Sequence, residues 1–118
     1  MPNLIFVYNA NSGIGNAILD VAHKIFSPKT YACNLCAITF DTFSENKSWK
    51  AFRENSLLDM EFLHIDEFEK EYKNQAFTYP IILSKNNNHL SILLSAEAIN
   101  KLGSVEDLIS LIESELAL

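Results

Sequence analysis

Two cysteines three positions apart, Cys33 and Cys36, are the residues of this sequence best suited to chemistry by type and spacing. A Cys-x-x-Cys pair can close a small disulfide ring or bind one metal ion from a single turn. His23 is the nearest further ligand, with His64 and His89 as additional candidates, so the pattern predicts zinc binding or thiol redox chemistry. The alternative is that both thiols are small apolar core side chains, because free cysteines are commonly buried.

A second candidate site is the loop that follows an apolar run ending at Tyr8. It is rich in residues that cap helices or adopt positive φ, namely Asn9, Asn11, Ser12, Gly13 and Gly15. A strand, a glycine-containing loop and a helix aim backbone N–H groups at an anion, so this loop predicts binding of a phosphate-bearing small molecule. The short segment resembles the Asn-Pro-x-Ser-Gly-x-Gly phosphate loop of the diacylglycerol-kinase and NAD-kinase superfamily. Helix capping and a tight turn, without any ligand, explain the same residues.

Composition favours one folded domain over residues 1–118 and argues against polyanionic partners. Apolar residues make up 48% of the chain and charged residues 20%, the balance of an ordinary globular protein. The net charge is -6 and the nine Lys and Arg side chains are scattered, so we expect no nucleic-acid or membrane binding. The first residues lack the basic region of a signal peptide, which predicts a reducing, cytoplasmic location. The partner, a protein or a small molecule, and any catalytic activity stay open.

Hydrophobic spacing and breaker residues predict alternating strands and helices. Strands are expected at 4–8, 37–40, 60–65, 81–84 and 90–94. Helices are expected at 14–26, 44–55, 66–72, 95–102 and 104–116, with a cysteine-bearing turn at 30–36. Asp66 with Glu69, and Ser104 with Asp107, have the spacing of residues that cap the start of a helix.

This order predicts an α/β fold, with a mixed, mostly parallel sheet, a C-terminal β-hairpin and flanking helices. With Tyr79-Pro80 before the third main strand, it resembles the thioredoxin-like fold, in which a cis-proline stands at the corresponding place. That family carries its Cys-x-x-Cys directly after the first strand, whereas Cys33 and Cys36 follow the predicted helix 14–26. The resemblance therefore does not carry the family's oxidoreductase mechanism to these cysteines.

The whole chain also resembles a group of uncharacterised small bacterial proteins sometimes labelled GTPases. A P-loop would need Gly-Lys-Ser or Gly-Lys-Thr after its glycines, and the sequence contains neither. The label therefore gains no support from the residues.

A thioredoxin-like topology would gather loop 9–15, the Asp66 cap and Pro80 at one end of the sheet. The cysteine turn is then expected toward the opposite end, with His23 beside it and His64 beside the loop. The leading hypothesis is that the Cys33 turn binds zinc or undergoes redox chemistry. The runner-up is a phosphate-binding module at loop 9–15, and the third is an interaction protein without chemistry of its own.

Overall fold

The structure, a computed structural model, describes residues 3–10, 33–39, 45–73, 77–87 and 89–116. The strands in this part of the chain are β1 (Asn3–Tyr8), β2 (Asp59–His64), β3 (Ile81–Asn86) and β4 (His89–Leu94). The helices are α1 (Asn34–Thr39), α2 (Lys47–Asn55), α3 (Ile65–Glu71), α4 (Ala96–Asn100) and α5 (Val105–Leu116). The described residues thus form an α/β fold.

The strands form one mixed sheet with the order β2-β1-β3-β4. β1 is parallel to β2 and antiparallel to β3, whose first residue Ile81 pairs with Val7 near the carboxyl end of β1. β3 and β4 form the predicted antiparallel hairpin, with Asn87 at φ 58° in its turn. Of the three described pairings only β1–β2 is parallel, so the prediction of a mostly parallel sheet is wrong. The chain enters β3 from the carboxyl end of β1, and this entry reverses the strand direction.

Alternating side chains of β1 divide the core between the two faces of the sheet. On one face, Leu4, Phe6 and Tyr8 pack with residues of α1, α2, α4 and α5, among them Cys33, Leu35, Trp49, Ile99 and Leu108. On the other face, Ile5 and Val7 pack with Phe68 of α3 and with residues of β3, Ile81 and Leu83. We call the first the cysteine face and the second the α3 face.

Helix α1 occupies most of the segment predicted as a strand at 37–40, and it begins inside the predicted cysteine turn. Leu35 and Thr39 are both fully buried on one side of this helix, and the Thr39 hydroxyl donates to the Leu35 carbonyl at 2.6 Å. The Asn34 side chain donates to the carbonyl of Ile99 at 2.7 Å, which ties α1 to the end of α4. Tertiary contacts of this kind stabilise a short helix that has too few residues to show a clear period.

The other predicted elements within the described residues are present with shifted ends. The cap of the last helix is confirmed, because the Asp107 N–H donates to Ser104 Oγ at 3.2 Å. The Tyr79-Pro80 peptide bond is cis, as the thioredoxin-like resemblance implies. The predicted helix 14–26 lies outside the described residues. No helix among those described is long and apolar enough to cross a membrane.

Candidate functional site

The side chains of Cys33 and Cys36 meet where α1 begins. No disulfide joins the two, and their Sγ atoms are 2.6 Å apart. Non-bonded heavy atoms ordinarily stay about 3.5–4.0 Å apart, so this contact is unusually close. Either sulfur can donate its S–H to the other. The two thiols are therefore placed to share a proton and lie near bond-forming distance.

Two backbone N–H groups donate to the Cys33 sulfur. The N–H of Cys36 lies 3.3 Å from Cys33 Sγ, and the N–H of Asn9 lies 3.4 Å from it. Helix α1 presents the first donor by turning the chain at Cys33, whose carbonyl accepts from the Ala37 N–H at 2.9 Å. The end of β1 presents the second. Hydrogen bonds to an acceptor favour its anionic form, whereas burial in the apolar core disfavours it, so both donors offset part of the cost of a thiolate on Cys33.

The two cysteines differ in their access to solvent. Cys33 is 2% exposed and belongs to the core of the cysteine face, whereas Cys36 is only partly buried and packs against that core. The pair therefore consists of one buried residue whose sulfur has backbone donors and one partly exposed residue.

The predicted position of the cysteines at the far end of the sheet is wrong. The Asn9–Cys33 hydrogen bond places the sulfur pair at the carboxyl end of β1, the end at which loop 9–15 begins. Ile65, directly after β2, reaches the same end, because its N–H donates to the Ala10 carbonyl at 2.9 Å. The prediction assumed that the cysteines lie at the far end of the first predicted helix, away from loop 9–15. Cys33 instead lies beside the carboxyl end of β1, where that loop begins.

Tyr8 is a site residue that the sequence reasoning did not single out. It is the last residue of β1 and packs in the same core cluster as Cys33. Burial, followed by the charges of Cys36 and Cys33, raises the pKa of its hydroxyl well above the usual range, while a hydrogen bond with Thr39 acts in the opposite direction. Tyr8 therefore stays a neutral phenol beside the sulfurs. In the sequence, only its position could have marked Tyr8 as a site residue, because it ends an apolar strand and directly precedes loop 9–15.

His64 lies at the same end of the sheet as the cysteines. It pairs with Tyr8 across β1 and β2, and the two rings are 6.1 Å apart between centroids. Glu67 Oε1 lies 2.8 Å from both the backbone nitrogen and Nδ1 of His64. The carboxylate thus orients the ring, and hydrogen bonds from His64 lower the pKa of Glu67.

The helix cap predicted with Asp66 and Glu69 is therefore wrong by two residues. Helix α3 begins at Ile65 with His64 as its cap and Glu67 in the position predicted for Glu69. The shift arises because β2 runs directly into α3, without a separate capping residue between the two elements.

The remaining sequence-predicted residues are only partly described. Pro80 is buried and directly precedes Ile81, so it lies beside the end of β1 that carries the sulfur pair. His89 is the first residue of β4 and pairs with Asn86. It therefore lies near Asn3, at the end of β1 opposite to the sulfur pair. His23 and four residues of the proposed anion loop, Asn11, Ser12, Gly13 and Gly15, lie outside the described residues. The loop's described member, Asn9, directs its N–H at a sulfur rather than outward.

An open cleft of about 380 Å³ lies on the α3 face, near the amino end of β1. Tyr72 is its central polar residue: its hydroxyl donates to Glu61 Oε1 at 3.2 Å and accepts from Lys85 Nζ at 3.4 Å. The Lys85 ammonium also lies 5.2 Å from the Tyr72 ring centroid. This cluster is separated from the sulfur pair by the sheet itself.

The zinc hypothesis names four described candidate ligands, Cys33, Cys36, His64 and His89. Among the described residues, no three or more His, Cys, Asp or Glu side chains come together in a way that could hold a metal ion. His23, the nearest further ligand that the hypothesis names, lies outside them.

Comparison with known proteins identifies no relative of this chain. No protein-family model, curated protein or solved structure matches the chain. Function must therefore be inferred from the site itself.

Proposed function

We propose that Cys33 and Cys36 form a dithiol–disulfide couple that exchanges electrons with a disulfide in a small molecule or a protein. The observation that carries this proposal is the 2.6 Å separation of their Sγ atoms. A disulfide has about 2.05 Å between its sulfurs, so oxidation needs only a small further approach. The reaction balances as protein dithiol plus R–S–S–R, which gives protein disulfide plus two R–SH.

The hydrogen bonds at Cys33 support the same chemistry. A thiolate is the nucleophile in thiol–disulfide exchange, and a stabilised thiolate is also the better leaving group. The N–H groups of Asn9 and Cys36 both favour that charge state. Because both donors belong to the backbone, most side-chain substitutions nearby leave them in place.

The sulfur geometry favours redox chemistry over zinc binding. Two thiolates on one tetrahedral zinc ion, each about 2.3 Å from the metal, stand about 3.8 Å apart. The observed separation is 2.6 Å. This separation is closer to the disulfide value than to the value for two thiolates on one zinc ion.

A thioredoxin-like fold and a cytoplasmic location are part of this proposal. That family carries its Cys-x-x-Cys at the start of a helix beside the first strand. Here Cys33 directly precedes α1 and accepts a hydrogen bond from the residue that follows β1, which supports the likeness despite the intervening residues 11–32. A dithiol couple without a structural disulfide suits a compartment in which thiols are kept reduced.

Glutathione disulfide tests the proposal directly. The reduced protein is incubated with increasing ratios of oxidised to reduced glutathione, quenched in acid and analysed by intact mass. We expect Cys33 and Cys36 to be lost together as an internal disulfide, and the single variants Cys33→Ser and Cys36→Ser to form none. Zinc per chain is measured on the same preparation, purified without chelator.

Two results would overturn the couple. One is that both thiols stay free at every glutathione ratio while the far-ultraviolet circular dichroism remains that of the folded protein. The other is one tightly bound zinc per chain that protects both thiols and is lost in Cys33→Ser.

A further inference from the structure

The unequal surroundings of the two cysteines assign them different roles within the proposed couple. We infer that Cys36 attacks an incoming disulfide and forms the mixed disulfide, and that Cys33 then resolves it. This inference rests on the proposed function and adds an order of events to it. The first cysteine of the motif is thus the second to react.

Access decides the first step. Thiol–disulfide exchange requires the attacking sulfur to reach a sulfur of the incoming molecule, so rates depend on exposure as well as on charge. Cys33 is 2% exposed, whereas Cys36 is only partly buried. A disulfide in solution therefore meets the Cys36 sulfur first.

The hydrogen bonds to Cys33 suit a resolving thiol. The donors from Asn9 and Cys36 hold its Sγ 2.6 Å from Cys36 Sγ, the atom that becomes bonded to the incoming molecule. Resolution is then an intramolecular attack by a thiolate that is already in place. Stabilisation raises the fraction of Cys33 present as thiolate but lowers the nucleophilicity of that thiolate, so access rather than charge decides the first encounter.

The proton can follow a simple path. Cys33 first gives its proton to water, and its thiolate accepts the hydrogen bond from the Cys36 S–H. This second proton passes to Cys33 as Cys36 Sγ bonds to one sulfur of R–S–S–R and the S–S bond of that molecule breaks. The first thiolate, RS⁻, leaves and takes up the proton from Cys33. The Cys33 thiolate then attacks Cys36 Sγ, the mixed disulfide breaks, and the second RS⁻ leaves and takes a proton from water. The protein loses two electrons, which the two R–SH products carry away.

The reverse reaction follows the same order backward. An external thiolate attacks the Cys36 sulfur of the internal disulfide, and Cys33 leaves as the thiolate that Asn9 and Cys36 N–H groups stabilise. Both directions thus use Cys36 as the sulfur that contacts the partner.

Single-cysteine variants separate the two roles. Cys33→Ser and Cys36→Ser are each treated with glutathione disulfide under native conditions, and the glutathione adduct is followed by intact mass. We expect the adduct at Cys36 in Cys33→Ser to form at least about tenfold faster than the adduct at Cys33 in Cys36→Ser. In denaturant the two variants should react at similar rates, which shows that the difference belongs to the folded protein.

A measurement on the unmodified sequence avoids any effect of substitution on folding. The reduced protein is given less than one equivalent of N-ethylmaleimide, and peptide mapping identifies the labelled cysteine. Preferential labelling of Cys36 supports the assigned order. Equal labelling or preferential labelling of Cys33, with the same ranking in the glutathione reaction, overturns the order and leaves the couple standing. Absence of both an internal disulfide and any adduct overturns the couple as well.

Discussion

Each face of the sheet carries a tyrosine with a raised pKa, and the two lie in opposite surroundings. Tyr8, on the cysteine face, is 9% exposed beside the sulfur pair. Tyr72, on the α3 face, is partly exposed in an open cleft between Glu61 and Lys85. Burial is the largest cause of the raised pKa in both. The second-largest cause at Tyr8 is the charge of Cys36, which raises the pKa further, whereas at Tyr72 it is the hydrogen bond from Lys85, which lowers it.

The polar groups of the two faces are held differently, by the backbone at the sulfur pair and by side chains in the cleft. At the sulfur pair, main-chain N–H groups of Asn9 and Cys36 donate to the Cys33 sulfur, which is enclosed by apolar packing. In the cleft, the partners are long side chains that water can screen. We therefore expect perturbations on the cysteine face to cost more than those on the α3 face.

The largest effect is expected at Trp49, which lies fully buried under the cysteine face. Its ring contacts Phe6 at 5.5 Å and Phe52 at 5.6 Å between centroids. Trp49→Ala should lower the free energy of unfolding by about 3–5 kcal/mol, because it removes a large side chain and leaves a cavity. Urea denaturation followed by circular dichroism measures the change.

Trp49→Phe is the matched control, because the indole Nε1 of Trp49 is buried with no hydrogen-bond partner among the described residues. Phenylalanine keeps much of the aromatic packing and removes the unsatisfied donor, so the loss should be less than about 1.5 kcal/mol. A loss as large as that of the alanine variant would show that the N–H makes an interaction of its own.

The next effect concerns Tyr8 and pH. Its folded-state pKa lies above that of an unfolded tyrosine, about 10, so above this pH the folded state holds more protons than the unfolded state. The stability that Tyr8 contributes is therefore complete below about pH 10 and is lost as the pH rises beyond it.

Tyr8→Phe tests this sign. We expect it to lower the free energy of unfolding by about 0.5–1.5 kcal/mol at neutral pH, since it removes the hydroxyl that bonds to Thr39. Above about pH 10 the gap between the variant and the original sequence should narrow, because phenylalanine does not ionise. A difference in the free energy of unfolding that widens as the pH rises would contradict the burial of the Tyr8 hydroxyl.

The sequence predicted the class of fold and the main strands, and these parts share a physical basis. Strand β1, the hairpin around Asn87 and the Ser104 cap are encoded by residues close together in the chain. Their hydrophobic runs, turn chemistry and capping chemistry act locally, so the pattern of neighbouring residues is enough to predict them.

The sequence singled out the two cysteines of the candidate site but predicted their place in the fold wrongly. Cys33 and Cys36 stand out by spacing, but the Asn9 donor joins them through a contact between residues distant in sequence. Helix α1 depends on the Asn34 side chain reaching α4, which is equally non-local. Tyr8 gave no chemical signal because its role comes from burial beside sulfurs that lie far along the chain.

The smallest effect is expected at Tyr72, which tests the solvent-exposed cleft on the α3 face. Tyr72→Phe removes the hydroxyl between Glu61 and Lys85 but keeps the ring that stacks on Phe68 at 5.1 Å. We expect the free energy of unfolding to fall by less than about 1 kcal/mol, since water replaces the lost partners at an open cleft. The rate of glutathione adduct formation at Cys36 should stay unchanged, because the sheet separates the two sites. A loss as large as that of Tyr8→Phe, or an altered thiol rate, would mean that the two faces are energetically coupled and that the cleft is less open to water than its lining residues indicate.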